Sequence, residues 1–233
     1  MRSILLCGLA AVPLIAAAGR PLATDDAATA EAGSCQIESW SDKRSSDRAW
    51  VVAPACGLAD GVEIGASYSL LRPSHPVRAA GGAALKWAPA AWKLDSGIGT
   101  VNFGLKAGAD WAQPAGGRWT RAGESLLGLA SWQLHPAWTV HANFGATHDA
   151  ASRTRAALLN LALVWTAGER LLLVAETQRN SKPEVFGGAV GTVGARWWLA
   201  KDVLGLDLTA SRGSRSGNPT TWTLGLGWYG LGL

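Results

Sequence analysis

The sequence is poor in charge and, beyond its first eighteen residues, has no long apolar run. Charged residues make up 16% of the 233-residue chain, whereas a soluble domain usually carries about 25%. No later stretch approaches the roughly 18 consecutive apolar residues that a spanning helix needs, which excludes transmembrane helices. The formal net charge is only +4, and its lysines and arginines are scattered. A nucleic-acid partner is therefore not expected.

Residues 1–18 have the three parts of a secretory signal peptide: Arg2 in a short charged start, an apolar run over residues 4–18, and small residues before the cleavage position. Cleavage is predicted after Ala18, with Ala23 as the alternative. Cys7 lies inside the apolar core rather than after it, so a lipoprotein is not expected.

After the signal only two cysteines remain, Cys35 and Cys56. Two cysteines in an exported protein most simply form one disulfide, because the periplasm is oxidising. If residues 35–42 and 49–56 are the arms of a hairpin, the two cysteines face each other at its open end. No further histidine or cysteine lies near them, and a metal site needs about four ligands. We therefore expect a structural disulfide and no metal.

From about residue 35 onwards the chain repeats units of about ten residues, in which apolar side chains alternate with small or polar ones before a turn. Residues 62–70 are typical, since Ile64 and Tyr68 belong to one set and Glu63 and Ser69 to the other. Residues 126–134, 156–165 and 171–178 are nearly all apolar. There the period alone does not exclude a helix, and the neighbouring units decide for strands, with Asn160 and Glu176 marking the inward side.

The connections between the units alternate in length, as periplasmic turns and extracellular loops do. The short ones are residues 135–137, 167–169 and 200–202, and the long ones are 110–124, 148–154, 180–187 and 212–219. Residues 89–96 break the rule: they should be periplasmic, yet they are long and carry Trp92, so they are either a real excursion or a misplaced boundary. The pattern predicts an all-β, up-and-down antiparallel transmembrane barrel of about twelve strands over residues 35–233, in a bacterial outer membrane.

Tryptophan is abundant, with 13 residues, and it gathers near the predicted strand ends. An indole combines a large apolar ring with one N–H donor, so it is best placed at the headgroup boundary of a membrane. The predicted girdle consists of Trp87, Trp111, Trp132, Trp138, Trp165 and Trp197.

The last predicted strand, residues 220–233, resembles the terminal strand that the barrel-assembly machinery reads in outer-membrane proteins. Tyr229 and Leu231 share one of its faces, and Trp222 and Trp228 share the other. Which face meets the lipid stays open, because the usual pattern would turn the face rich in tryptophan and leucine inward unless the strand has a bulge or the opposite parity.

Several polar side chains are predicted to point into the barrel. They are Glu63, Lys86, Lys106, Asn143, Glu176, Arg196 and Asp207. Such groups either pair across the lumen and make it rigid, or line a wet path and select solutes.

The polar residues 19–34 include Thr24, Asp25 and Asp26. They either hang in the periplasm or fold into the lumen as a plug that meets Lys86, Lys106 or Arg196. We prefer the plug.

Enzymatic chemistry has weak support in the sequence. His141, His148 and Asp149 invite a comparison with lipid-cleaving barrels, but no nucleophile motif accompanies them. Residues 225–230 match a glycine-rich dinucleotide motif letter by letter, yet no helix can follow at the chain end, so the match is chance. No cofactor is expected.

The start of the mature chain reads Arg20-Pro21-Leu22-Ala23-Thr24-Asp25-Asp26-Ala27, followed by Gly33 and by Gln36-Ile37-Glu38. It resembles, over about twenty residues, the outer-membrane proteins named for the meta-cleavage pathway of phenol degradation. The resemblance implies a barrel channel that assists uptake of hydrophobic or aromatic compounds. The pair Cys35 and Cys56 need not occur across that family.

Taken together, the chain is expected to be a passive outer-membrane channel for small solutes, aromatic or hydrophobic ones included, with membrane lipid, the assembly machinery and the solute as its partners. The alternatives are a barrel enzyme that acts on lipid or lipopolysaccharide, and a structural barrel that conducts nothing.

Overall fold

The computed structural model describes residues 21–72, 76–215 and 217–232. The predicted signal peptide and the terminal residue of the predicted last strand lie outside these residues. Within the described residues no helix is long and apolar enough to cross a membrane. The strands are β1 (Ser34–Arg44), β2 (Asp47–Ala59), β3 (Val62–Arg72), β4 (Val77–Trp87), β5 (Leu94–Ser96), β6 (Gly99–Pro114), β7 (Thr120–His135), β8 (Trp138–Asp149), β9 (Thr154–Thr166), β10 (Leu171–Asn180), β11 (Val190–Ala200), β12 (Leu204–Gly213) and β13 (Thr221–Gly232). A short helix, α1 (Pro183–Phe186), lies between β10 and β11, and a 3-10 turn covers Ala90–Trp92.

The strands form one antiparallel ring, as the alternation of the sequence predicts. Strands that follow each other in the chain pair with each other, except that β4 skips β5 and pairs with β6. β1 pairs with β13 and closes the sheet. Of the thirteen strands in the described residues, β5 pairs only with β6 and stands outside the ring, which leaves twelve. Closure removes the unpaired strand edges that a bilayer cannot solvate.

Side chains alternate between the inside and the outside of the ring. In β3, Glu63 and Ser69 are buried inside, whereas Ile64 and Tyr68 are exposed on the outer surface. In β12, Asp207 is buried and its neighbour Leu208 is exposed. The outer surface is therefore apolar and suits lipid, while the inside holds the polar residues, as in outer-membrane barrels.

Two connections deserve comparison with the prediction. Of the two alternatives for residues 89–96, the structure shows the real excursion, in which Trp92 contacts Trp87 at a ring-centroid distance of 4.5 Å and β5 turns back along β6. The loop between β6 and β7 covers only residues 115–119 instead of 110–124. The polar residues at these strand ends continue the pairing, because a barrel strand can extend past the lipid and keep its backbone hydrogen bonds.

A bulge near the end of β13 settles which face of this strand meets the lipid. Trp228 pairs with Ile37 and Leu231 with Cys35, so that Tyr229 and Gly230 together stand opposite a single residue of β1. Gly230 has a φ of 72°, which glycine adopts without strain. The outward face consists of Trp222, Leu224, Leu226 and Trp228. Tyr229 points inward with Thr223 and Gly227 by the regular alternation, and the bulge at Tyr229 and Gly230 returns Leu231 to the face that carries Trp228.

The structure joins Cys35 and Cys56 in a disulfide between directly paired positions of β1 and β2. The predicted girdle residues Trp87, Trp111, Trp138, Trp165 and Trp197 are exposed on the outer surface, and Trp132 is partly exposed and donates its indole N–H to the Ile98 carbonyl. Trp138 and Trp165 stack with their ring centroids 5.3 Å apart. Trp40 and Trp198 differ, because their side chains belong to the interior.

Candidate functional site: the lumen and the segment inside it

Residues 21–33, called here the N-terminal segment, run through the interior of the barrel. Leu22 is buried against Ala162 and Val174. Further along, Ala27 is buried and packs on a pair of leucines of β7, Leu127 and Leu129. The apolar side chains of the segment therefore have apolar partners on the inner wall.

The carboxylate of Asp25 lies between two lysines of adjacent strands. Its Oδ1 is 2.8 Å from Lys86 Nζ, and its Oδ2 is 2.6 Å from Lys106 Nζ. All three side chains are at least 97% buried. Because Lys86 and Lys106 pair directly across β4 and β6, their ammonium groups stand side by side on the wall, and the carboxylate offers one oxygen to each.

The backbone on both sides of Asp25 is held as well. Its N–H donates to Asn143 Oδ1 at 2.7 Å, and Asn143 Nδ2 donates to its carbonyl at 2.8 Å. Lys86 also donates to the Ala28 carbonyl and lies 3.2 Å from Asp26 Oδ1. Burial alone would raise the pKa of Asp26, but the Lys86 ammonium, together with His141 and a hydrogen bond from the Ala28 N–H, holds this pKa below its ordinary value.

Two carboxylates of the wall accept backbone N–H groups of the segment. Glu176 accepts from the N–H of Ala23 at 3.3 Å, and from the N–H and hydroxyl of Thr24. Glu63 accepts from the N–H of Ala30 at 2.8 Å. A short extended segment has no partner strand for most of its own amides, so these acidic side chains satisfy them.

The segment leaves the lumen along β2, at Gly57. Ala32 forms a parallel bridge to Gly57, and the Gly33 N–H donates to the Gly57 carbonyl at 3.0 Å. A Cβ on Gly57 would stand 2.2 Å from the Glu31 carbonyl oxygen. Only a glycine therefore lets the segment lie this close to the wall.

A second buried cluster joins β1, β11, β12 and β13. Arg196 binds Asp207 through two hydrogen bonds, Nε to Oδ1 at 2.7 Å and Nη2 to Oδ2 at 2.8 Å. Its guanidinium lies about 5 Å from the ring centroids of Trp198 and Tyr229, and the Tyr229 hydroxyl donates to Glu38 at 2.6 Å. The cluster ties four strands together.

A serine and a histidine meet beside the segment. Ser131 Oγ is 2.8 Å from His141 Nδ1, and the Ala27 N–H donates to the same oxygen at 2.7 Å. In the described residues no hydrogen bond orients the other ring nitrogen of His141. The two other candidates, His148 and Asp149, lie near the loop end of β8, where His148 contacts Glu124.

Every polar residue predicted to point inward is buried inside the barrel. The structure brings five of them to the N-terminal segment, namely Glu63, Lys86, Lys106, Asn143 and Glu176. The other two, Arg196 and Asp207, pair with each other. Arg196, which the sequence offered as a partner of the segment, contacts Glu38 in place of Asp25 or Asp26.

Sequence analysis missed three groups of interior residues. Glu38 could have been found from the alternation of β1, in which residues 36, 38 and 40 are buried. Leu127 and Leu129 lie in an all-apolar unit that gives no hint of its facing. Tyr229 was missed because it shares a face with Leu231 in a regular strand, and the usual terminal pattern turns that face to the lipid; the bulge separates the two residues. Within the described residues no group of three or more histidine, cysteine or acidic side chains is arranged to hold a metal ion.

The comparisons with known proteins agree with a barrel of this kind. The sequence model of the family described as "Uncharacterised conserved protein UCP029691" matches residues 6–227. No curated protein matches the chain. The matches support an outer-membrane β-barrel and do not support the phenol-degradation family that the start of the chain resembles.

Solved structures of outer-membrane proteins share the fold. The NanC porin has a TM-score of 0.60 at 7% identity, and the KdgM porin one of 0.58 at 8%; each match covers 83% of this chain and 98% of the porin. Outer membrane phospholipase A from Escherichia coli has a TM-score of 0.54 at 12% identity, over 85% of this chain and 97% of that one. At these identities the likeness concerns the fold, and the fold places this chain in the outer membrane.

Proposed function

We propose that this chain, which belongs to the family described as "Uncharacterised conserved protein UCP029691", is an outer-membrane channel for the passive uptake of small solutes. The observation that carries the proposal is the interior of the barrel. A closed ring of twelve strands surrounds charged and polar side chains together with a segment of the chain that is not part of the wall. A barrel that served only as a membrane anchor could fill this space with the larger side chains of its own wall.

In this proposal the seated N-terminal segment is the closed state. The wall holds it mainly through side chains. Lys106 pairs with Asp25, and Glu63 and Glu176 accept hydrogen bonds from backbone N–H groups of the segment. Only Ala32 and Gly33 join it to the sheet by backbone pairing. Side-chain contacts can be exchanged one at a time, so the segment can leave while the ring stays closed. Diffusion then selects solutes by the width and charge of the lumen.

The finer proposal is that the solutes are aromatic or hydrophobic. It rests on the resemblance of the Arg20–Ala27 stretch to the phenol-degradation proteins and on the apolar interior leucines Leu127 and Leu129. Among the similar structures, the KdgM porin has been described in complex with disordered oligogalacturonate, so barrels of this fold also admit acidic sugars.

The proposal is tested by planar-bilayer recording of the refolded, disulfide-intact protein with and without phenol in the bath. We expect discrete conductance steps that phenol reduces and that cyclohexanol, which is similar in size but not aromatic, reduces less. Equal effects of the two solutes would contradict the aromatic preference alone. A folded barrel that never conducts would contradict the channel.

A lipid-cleaving enzyme is the second candidate, and the contact between Ser131 and His141 favours it. A hydrolase needs a nucleophile within reach of a base that a third group orients. Here the nucleophile lies inside the lumen under the segment, where an acyl chain from the bilayer has no access. We expect refolded protein to show no lipid hydrolysis above that of its Ser131→Ala variant. Hydrolysis that this substitution abolishes would establish the enzyme.

A further inference from the structure

We propose that Lys86, Lys106 and Asn143 form a binding site for the carboxylate of a small organic acid with an apolar body, and that Asp25 occupies this site when the N-terminal segment is seated. The inference rests on the proposed function, because an acid enters the lumen only if the barrel opens. It names the solute class that the channel would favour.

The geometry around Asp25 favours an anion between the two lysines. Two ammonium groups fixed side by side on neighbouring strands repel each other unless an anion lies between them. The carboxylate fits this gap with one oxygen at 2.8 Å from Lys86 and the other at 2.6 Å from Lys106. The site therefore binds a planar anion with two oxygens, whether that anion belongs to the segment or to a solute.

When Asp25 leaves, the two lysines of the wall lose carboxylate partners. Lys86 keeps Glu63 at 3.8 Å. In the part of the chain that the structure describes, Asp25 is the only carboxylate within 4.0 Å of Lys106 Nζ. A buried ammonium without a counterion is strongly unfavourable. When the segment leaves, binding of another anion at this position is therefore favourable.

The charge of the solute follows from the ion pairs of the two lysines. Of the carboxylates within 4.0 Å of Lys86 or Lys106 in the described residues, only Glu63 remains when the segment leaves, so these three groups carry a formal charge of +1, which a monocarboxylate neutralises. Asn143, which holds the backbone of Asp25 through both its amide atoms, then offers its Nδ2 as a further donor.

An apolar surface for the body of the acid lies beside the two lysines. Lys106 pairs directly with Leu127 across β6 and β7, so the cation and the leucine lie next to each other on the inner wall. In the seated state Ala27, two residues beyond Asp25, covers Leu127 and Leu129. An acid whose carboxylate replaces that of Asp25 can therefore place an apolar body where Ala27 lies. Benzoate has this form.

The test is calorimetric titration of benzoate, and of its uncharged analogue benzamide, into refolded protein in detergent. The Asp25→Ala variant vacates the site, and Asp25→Ala/Lys106→Gln removes one of its cations. Asp25→Ala/Lys93→Gln is the matched control, since Lys93 lies on the exposed excursion after β4 and its ammonium pairs with the exposed Asp95. If Asp25→Ala does not refold, Asp25→Asn takes its place in all three proteins.

We expect benzoate to bind the Asp25→Ala variant at least about tenfold more tightly than benzamide does, and the Lys106→Gln change to abolish this difference. The Lys93→Gln control should keep it. Equal affinities of benzoate and benzamide, or an unchanged preference after Lys106→Gln, would overturn the site.

Bilayer recordings of the same proteins separate this inference from the proposed function. Binding of benzoate to a barrel that stays silent would support the site and contradict the channel. Conductance without a preference for benzoate would support the channel and overturn the site.

Discussion

Arg196 and Asp207 form a buried ion pair with two parallel hydrogen bonds, 2.7 and 2.8 Å long, between directly paired positions of β11 and β12. Asp207 is fully buried, and the guanidinium is closed in by the rings of Trp198 and Tyr229. The planar fork of arginine matches a carboxylate in this way, whereas a lysine supplies only a point charge. The pair is therefore a structural element of the wall.

Removing one partner of this pair should destabilise the barrel. Asp207→Asn removes the carboxylate that holds the buried guanidinium through two hydrogen bonds and leaves it only the more distant Glu38, at 3.9 Å. We expect a loss of about 3–5 kcal/mol in the free energy of unfolding. The measurement is reversible urea unfolding of the protein in lipid vesicles, followed by tryptophan fluorescence.

The matched control is the exposed ion pair between Lys93 and Asp95, whose side chains are 48% and 68% exposed. Asp95→Asn should leave the free energy of unfolding nearly unchanged, because water and salt screen a pair this exposed. If the two substitutions have similar effects, the cluster around Arg196 does not hold the wall together.

The disulfide should stabilise the barrel through its constraint on the unfolded chain. Cys35 and Cys56 are 21 residues apart in sequence, and closing a loop of this size contributes about 3 kcal/mol. We expect Cys35→Ala/Cys56→Ala to lower the urea midpoint by a corresponding amount. Dithiothreitol should lower the midpoint of the parent protein and leave that of the double variant unchanged; an effect of dithiothreitol on both would argue against the disulfide as its target.

A side chain at Gly57 should displace the N-terminal segment without altering any charge. Because even a Cβ would stand 2.2 Å from the Glu31 carbonyl oxygen, Gly57→Val forces the segment away from β2. We expect a larger fraction of time in conducting states in bilayer recordings. Gly191→Val is the control, since a Cβ there meets nothing within 4 Å. Equal traces from the two variants would show that the path of the segment does not limit conduction.

The outer surface should respond to charge according to depth. Leu208 is exposed at the middle of β12, and Leu58 is exposed at the periplasmic end of β2. We expect Leu208→Arg to cost about 2–4 kcal/mol and Leu58→Arg about 0–1 kcal/mol, because the cost of a charge falls towards the interface. Urea unfolding in vesicles measures both. A larger cost at Leu58 would contradict the assigned position of the membrane.

The strands and their facing could be predicted from the sequence wherever the alternation is clean. Glu63, Lys86 and Lys106 each alternate with apolar neighbours along their strands, and a period of two then assigns them to the inside. The method fails where the period breaks. In β7 nothing in the residue types tells that Leu127 is buried, since its neighbour Leu126 is equally apolar.

Which residues contact each other inside the lumen could not be predicted from the sequence. The signs of the charges suggest that Asp25 meets a lysine or an arginine, but the choice of Lys86 and Lys106 over Arg196 depends on which strands face each other across the ring. The bulge at Gly230 is a further case. It lies where β13 pairs with β1, two strands from opposite ends of the chain.

The central claim, that the N-terminal segment closes a conducting barrel, is tested most directly by single-channel recording of Asp25→Ala/Asp26→Ala beside the parent protein. This change removes the carboxylates that Lys86 and Lys106 hold, while Asp60→Ala/Asp95→Ala removes two exposed ones as a control. We predict brief and infrequent openings for the parent and the control, and long openings for the variant. An unchanged trace from a correctly folded variant would contradict the claim.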